Sequence, residues 1–337
     1  MAPKEVDFLS CSETRPTSGS PHAIGRNVGS NDLLDERDRS PSPIASPLVS
    51  IGLPVYNGER FLSRAIDSFL GQTLSDFEVV ISDNASTDRT QAICEDYAQR
   101  DRRVRYVRQP RNIGAPRNWN AAVHEARGTF FKWASANDYI APDMLEKCVA
   151  AMQADPSIVL CSGKTQLVGD ADEPGIIYQS DETIADARPS DRLAHLADVL
   201  TMNNLQCAVI RSDALRKTRL DRLYPSGDLS LMMELALYGK FLILPETMLF
   251  RYQSQETFTT LLPALERQRI HDPTAKSPLK LIRTRRHLDH LGSIARAPLP
   301  PMEKLRAFRV ALRLARWDRS IIWREFRSLV AGADSTT

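Results

Sequence analysis

The chain has 337 residues, 42% of them hydrophobic, enough to bury a substantial core in one large domain or two smaller ones. Its formal net charge of +2 names no polyanionic partner, and five widely spaced cysteines without a C-x-x-C pair argue against a disulfide framework or a zinc site and fit reduced thiols. No apolar signal-peptide core opens the chain and no run reaches the ~18 apolar residues of a membrane span, so a cytoplasmic protein is expected.

Residues 1–46 are rich in Ser, Pro, Gly, Asp and Arg and are expected to form a disordered N-terminal tail. Order begins at Pro47. Leu48–Leu53 reads as a buried strand ended by Pro54, and Glu59–Leu70 carries apolar residues at helical spacing. Phe77–Ile81 is the next strand. Ser86-Thr-Asp88 then caps a helix to about Arg100. Val104–Val107 is a third strand, Asn112–Ala126 a loop and helix, and Thr129–Ala134 a fourth strand running to Asn137-Asp138. A helix over Pro142–Ala154 and a strand at Ile158–Cys161 follow, and residues 164–190 read as irregular. Beyond lie a helix (Asp191–Leu200), a strand (Gln206–Arg211), a helix (Leu229–Leu237) and strands at Phe241–Leu244 and Met248–Tyr252. Strands alternating with helices predict an α/β fold: a mostly parallel sheet with helices on both faces.

From Lys276 to Arg327 fourteen Lys/Arg stand against four Asp/Glu, and Met302–Trp317 interleaves apolar residues with arginines. These basic helices are read as a C-terminal extension that could touch anionic lipid headgroups, another subunit, or nothing. Their apolar faces look made for packing, so no nucleic-acid partner is expected. His287 and His290 share a helix face without a third ligand and are expected at the surface.

Three segments fall at the carboxyl ends of predicted strands, where α/β sheets gather ligands. They are Pro54-Val-Tyr-Asn57, Asp83-Asn-Ala-Ser-Thr-Asp88 and Asn137-Asp138. An acid such as Asp83 can accept from a base N–H, and an acid ahead of a helix is where a cation bridging two phosphates could sit. Only one carboxylate is present at Asn137-Asp138, where a metal site usually has more.

Leu53-Pro-Val-Tyr-Asn-Gly-Glu-Arg-Phe-Leu62, Gln72–Asp88 and Arg111-Asn-Ile-Gly-Ala-Pro-Arg-Asn118 together resemble a family 2 glycosyltransferase of the GT-A fold. The resemblance covers about residues 47–252. It implies a GT-A domain at 47–260 followed by the extension at 261–337. It also implies an inverting transfer from a nucleoside diphosphate sugar, UDP-sugar favoured, to a hydroxyl of a glycan or lipid-linked acceptor. By position, Pro54, Tyr56 and Asn57 line the nucleotide pocket, Asp83 contacts the base, Arg117 lies near the nucleotide and Asn137 by the ribose. Asp138 carries a divalent cation, Mg²⁺ or Mn²⁺, on the diphosphate, and Asp228 of Gly227-Asp228 is the base that takes the acceptor proton.

The chain departs from the family at two places. The common Asp-x-Asp-Asp reads Ser135-Ala136-Asn137-Asp138, and the late His often found after the last strand is replaced by Gln253-Ser-Gln255. The Gln-x-x-Arg-Trp motif of processive enzymes is absent. A GT-A-like binding or scaffold protein with degraded catalysis therefore stands as the alternative. A nucleotidyltransferase is disfavoured because Pro54-Val-Tyr-Asn57 is not a Gly-rich basic loop.

Overall fold

A computed structural model describes residues 46–169, 175–253 and 262–333. Residues 1–45 of the expected N-terminal tail and the Ser254-Gln255 pair lie outside the described residues.

Four parallel strands form the first half of the sheet: β1 (Val49–Val55), β2 (Phe77–Asp83), β3 (Val104–Arg108) and β4 (Phe130–Trp133). They lie in the order β3-β2-β1-β4. Between them run α1 (Leu62–Leu70), α2 (Thr90–Arg100) and α3 (Ala115–Glu125). The seven residues of β1 and of β2 are buried throughout, as a parallel sheet covered on both faces requires.

Past β4 the chain makes a loop, then β5 (Tyr139–Ile140), α4 (Met144–Ala154), β6 (Ile158–Val168), β7 (Ile176–Ile177) and α5 (Pro189–Val199). A 3-10 turn (Asn204–Cys207), β8 (Val209–Arg211), α6 (Ser212–Arg216), α7 (Gly227–Leu235) and β9 (Lys240–Tyr252) complete the sheet. Strand β8 pairs antiparallel with β4 and β6 antiparallel with β8, β9 runs parallel to β6, and β5 closes on β9 antiparallel.

Two expectations are corrected here. Residues 164–168 are not irregular: β6 pairs with β9 as far as Val168 against Tyr252. Gln206-Cys207 is not strand. The Cys207 carbonyl turns to accept the ammonium of buried Lys132 at 2.5 Å, which takes it out of any ladder.

Alternation along the strands divides the core. Val49, Ile51, Leu53 and Val55 of β1 pack with α1 and α4 on one face; Phe131 and Trp133 of β4 pack with α5 and α7 on the other. The C-terminal helices α8 (Ala264–His271), α9 (Ile282–Arg296), α10 (Pro301–Trp317) and α11 (Arg319–Ala333) follow. Ile294, Ala297, Ala307 and Ala311 from this region are buried in the second core, so α9 and α10 complete it. Glu234 is 1% exposed on α7 and meets Arg296 of α9 at 2.7 Å and Arg222 at 3.6 Å. His287 and His290, expected at the surface, are both 7% exposed because α9 turns them into the helical layer.

Candidate active site

The carboxyl ends of β1, β2 and β4 bring the three predicted segments to one edge. Asn57, at φ 51°, locks the first two together: its N–H donates to Ser86 Oγ at 2.9 Å and its Oδ1 accepts the Thr87 N–H at 2.8 Å. Ala85 also sits at positive φ (59°) in this crossing. Two non-glycine residues held there mark a backbone fixed by its surroundings, a feature that concentrates at functional sites. The third segment joins through Gly58: a Cβ there would meet Val55 at 2.6 Å and Ala136 at 3.4 Å.

A cavity of about 340 Å³ opens beside these loops. Pro54, Tyr56, Asn84, Asn118 and Trp119 line one side; Glu266, Arg269 and Ile270 of α8 line the other. Tyr56 is 49% exposed, an aromatic face at a cavity mouth. Asn118, 2% exposed, donates to the Ser82 carbonyl at 2.7 Å and accepts from Ser82 Oγ at 2.7 Å, so α3 is tied to the end of β2. Helix α8 docks through Gly114 (φ 87°), where a Cβ would lie 2.3 Å from the His271 carbonyl oxygen. Only glycine allows that approach.

Of the predicted nucleotide residues, Pro54 and Tyr56 line the cavity, whereas Asn57, Asp83, Arg117 and Asn137 do not. Asp83 is fully buried. Its carboxylate accepts from Ser86 N–H (2.9 Å), Ser86 Oγ (2.5 Å) and Tyr106 OH (2.7 Å), with Arg108 at 3.4 Å. It holds the loop rather than facing the cavity. The next residue, Asn84, faces it instead, with Asn112 bonded to it at 2.9 Å. Both lie within quoted motifs, but their neighbours carried the sequence signal. Glu266 and Arg269 had none, since α8 is a polar helix far along the chain.

Asp138 is 5% exposed, and its Oδ1 accepts the Tyr252 N–H at 3.0 Å. Burial pushes its carboxyl up to about 6, opposed by Arg251, that N–H, Lys132 and Arg64. Asn137 Oδ1 accepts from Ser135 Oγ at 2.5 Å. A divalent cation needs several oxygen ligands. Here one enclosed carboxylate is already engaged and lies in the field of three cations, and no group of three His, Cys, Asp or Glu is placed to hold a metal among the described residues. These residues do not fit the expected cation.

Asp228 lies in the first turn of α7, behind Ser226 at φ 67°. Its Oδ2 accepts from Asn203 Nδ2 at 2.9 Å. Its charge reaches His271 on α8, the helix that covers the cavity. It also acts on Asp221, an acid that sequence reading passed over. Burial, reinforced by Asp228, pushes the Asp221 carboxyl up to about 8. Asn120 of α3 fixes that segment with two backbone bonds of 3.0 Å, to the Asp221 carbonyl and from its N–H.

A sequence model of glycosyl transferase family 2 matches residues 50–218. The chain belongs to glycosyl transferase family 2. Similar proteins include the uncharacterized glycosyltransferase EpsJ of Bacillus subtilis, 40% identical over 116 residues, and the hyaluronan synthase of Pasteurella multocida, 32% identical over 168. The matches cover 34% and 46% of this chain, but only 33% and 17% of those proteins. Among solved structures, S. aureus TarS in complex with UDP-GlcNAc aligns at TM-score 0.54 and 20% identity, over 76% of this chain and 69% of TarS. The mannosyltransferase PcManGT of Pyrobaculum calidifontis, in complex with GDP-Man and Mn2+, aligns at 0.51 and 18%, over 89% of this chain and 79% of that one. At such identities these likenesses establish the fold, which is GT-A. No described helix is long and apolar enough to cross a membrane.

Proposed function

We propose that the chain transfers a sugar from a nucleoside diphosphate sugar to a hydroxyl acceptor with inversion at the anomeric carbon. The observation that carries this reading is the cavity at the ends of β1 and β2, closed by α8, with Asp228 within electrostatic reach of α8. Its volume of about 340 Å³ falls within the range of small-molecule sites. Pro54, Tyr56, Asn84 and Trp119 contact the nucleotide; Asn57 and Asp83 hold the loops that carry them. UDP-sugar remains the favoured donor, in keeping with the UDP-GlcNAc complex of TarS. The acceptor is a glycan or lipid-linked alcohol.

In the transfer step the acceptor oxygen attacks the anomeric carbon opposite the diphosphate. A carbon–oxygen bond forms as the bond to the phosphate oxygen breaks, and the electron pair leaves with the nucleoside diphosphate. The acceptor proton passes to Asp228, which Asn203 orients. Because the residues around Asp138 do not fit a cation, no step is routed through one. Arg64, whose guanidinium lies 3.4 Å from the Asn137 carbonyl, and Arg251 supply positive charge on that side. Arg117 is exposed at the rim, 3.3 Å from the Ile113 carbonyl, and meets the nucleotide only from outside the cavity.

Peripheral membrane contact fits the exposed Leu312, Trp317, Trp323 and Phe326, which stand among arginines on α10 and α11. The scaffold alternative draws on the same enclosed Asp138. Calorimetric titration of UDP, GDP and dTDP, with Mg²⁺, with Mn²⁺ and with chelator, tests the reading. One nucleoside diphosphate should bind. Binding by none of them under any condition would refute a donor site.

A further inference from the structure

A second cavity, about 260 Å³, lies among the helices behind the base. Leu229 and Met233 of α7 form one wall, Leu314 and Trp317 of α10 another, and Arg286 and His290 of α9 project into it. Leu229 directly follows Asp228. On the other side of the same turn, Pro225 and Ser226 line a neighbouring cavity of about 250 Å³ with Arg267. Arg283 and Arg286 line both cavities.

The polar groups here are undersatisfied. Asp318 is the acid that meets Arg283 (3.5 Å), Arg286 (3.1 Å) and His287 (2.9 Å), so one carboxylate faces two guanidinium groups and an imidazole. Among the described residues, Arg286 Nε, His287 Nδ1 and both ring nitrogens of His290 have no hydrogen-bond partner. His290 is 7% exposed. A buried polar group without a partner costs roughly 1–3 kcal/mol, and four of them around one cavity are most simply explained by a ligand that satisfies them. The excess charge is positive and the remaining walls are apolar.

We propose that this cavity is the acceptor's anchoring subsite and takes a phosphomonoester carried on a non-polar stem. The phosphate oxygens accept from Arg286, Arg283 and a ring N–H of His290, while the stem lies along Leu229, Met233, Leu314 and Trp317. A hydroxyl elsewhere on the acceptor then reaches Asp228. The assignment rests on the sugar-transfer reading for its place in the reaction; the anion site itself does not.

The test is calorimetry on the full chain with three probes: hexyl phosphate, inorganic phosphate and UDP. Hexyl phosphate should bind at least tenfold more tightly than inorganic phosphate, and should leave UDP affinity unchanged because the two sites are separate. Arg286→Gln should weaken hexyl phosphate at least tenfold. Arg286→Gln also disturbs Asp318, so His290→Leu is the cleaner variant. It removes two unpartnered nitrogens, should hold or raise Tm, and should still weaken hexyl phosphate at least tenfold. Equal affinity for hexyl and inorganic phosphate, competition between hexyl phosphate and UDP, or unchanged binding in His290→Leu would each overturn the proposal. Absence of UDP binding with hexyl phosphate still bound would instead count against the donor site and leave an anion site of other purpose.

Discussion

Asp221 provides a quantitative test of the region around Asp228. Its carboxyl is pushed from an ordinary 3.8 up to about 8, first by burial and then by the Asp228 charge. The folded chain therefore holds a proton on Asp221, between about pH 4 and pH 8, that the unfolded chain has lost. A raised pKa contributes stability that is full below the unfolded value and disappears as pH rises through the folded value. Each pH unit in that window changes the unfolding equilibrium by about tenfold per group, so pH 5 to 8 spans about a thousandfold at most. Because Asp221 is only partly buried, solvent relaxation reduces this, and a difference of at least about tenfold is expected. Asp221→Asn keeps the shape and removes the titration. Urea unfolding of both proteins at pH 5, 6, 7 and 8 isolates the effect, because the buried histidines contribute equally to each. The stability of the parent should fall relative to the variant as pH rises. Parallel profiles would refute the reading that burial and the Asp228 charge keep a proton on Asp221 in the folded chain.

Other outcomes follow from single contacts. Glu234→Ala removes the buried carboxylate between Arg222, which keeps Asp289 at 3.6 Å, and the half-exposed Arg296, and should cost about 1–3 kcal/mol in chemical denaturation. Gly114→Ala places a Cβ 2.3 Å from the His271 carbonyl, so α8 should lift and nucleotide affinity should drop at least tenfold with the far-UV spectrum unchanged. Asn118→Ala should cost about 1–3 kcal/mol of stability, read by thermal denaturation, because the Ser82 carbonyl loses its buried donor. Replacing Mg²⁺ with chelator should change nucleoside diphosphate affinity less than about threefold, measured by calorimetry, since Asp138 would offer a cation one enclosed carboxylate at most. Double replacement of Trp317 and Trp323 by Ser should abolish co-sedimentation with vesicles rich in anionic lipid if α10 and α11 reach a membrane surface.

The parallel half of the sheet was legible because its strands are short apolar runs separated by helical periodicity, and because turn-forming residues end each one. Asn57 and Asp83 were legible as important but not in role. A sequence shows an acid at a strand end without showing that Ser86, Tyr106 and Arg108 converge on it. The second half was harder. Lys164 and Gln166 break the apolar pattern of β6, which is held by pairing with β9 more than 80 residues away. Lys132 is a charged residue within an apolar strand, yet it is wholly enclosed and bonded to the carbonyls of Cys207 and Trp133. Burial pulls its ammonium below its ordinary value. Arg269 and Asp221 carry no local signal at all, and the helical spacing of His290 does not show its burial. Each gains its character from elements that only the fold brings beside it.

The central claim is that the chain moves a sugar and that Asp228 takes the proton. Release of nucleoside diphosphate from UDP-, GDP- and dTDP-sugars, measured for the parent and for Asp228→Asn with nucleotide binding followed in parallel, tests it most directly. The account predicts turnover of one donor by the parent, at least a hundredfold slower release by Asp228→Asn, and nucleotide affinity within about threefold of the parent. Equal turnover by the two proteins would remove Asp228 from the mechanism. A parent that binds nucleotide yet turns over no donor would favour the scaffold reading over the enzyme.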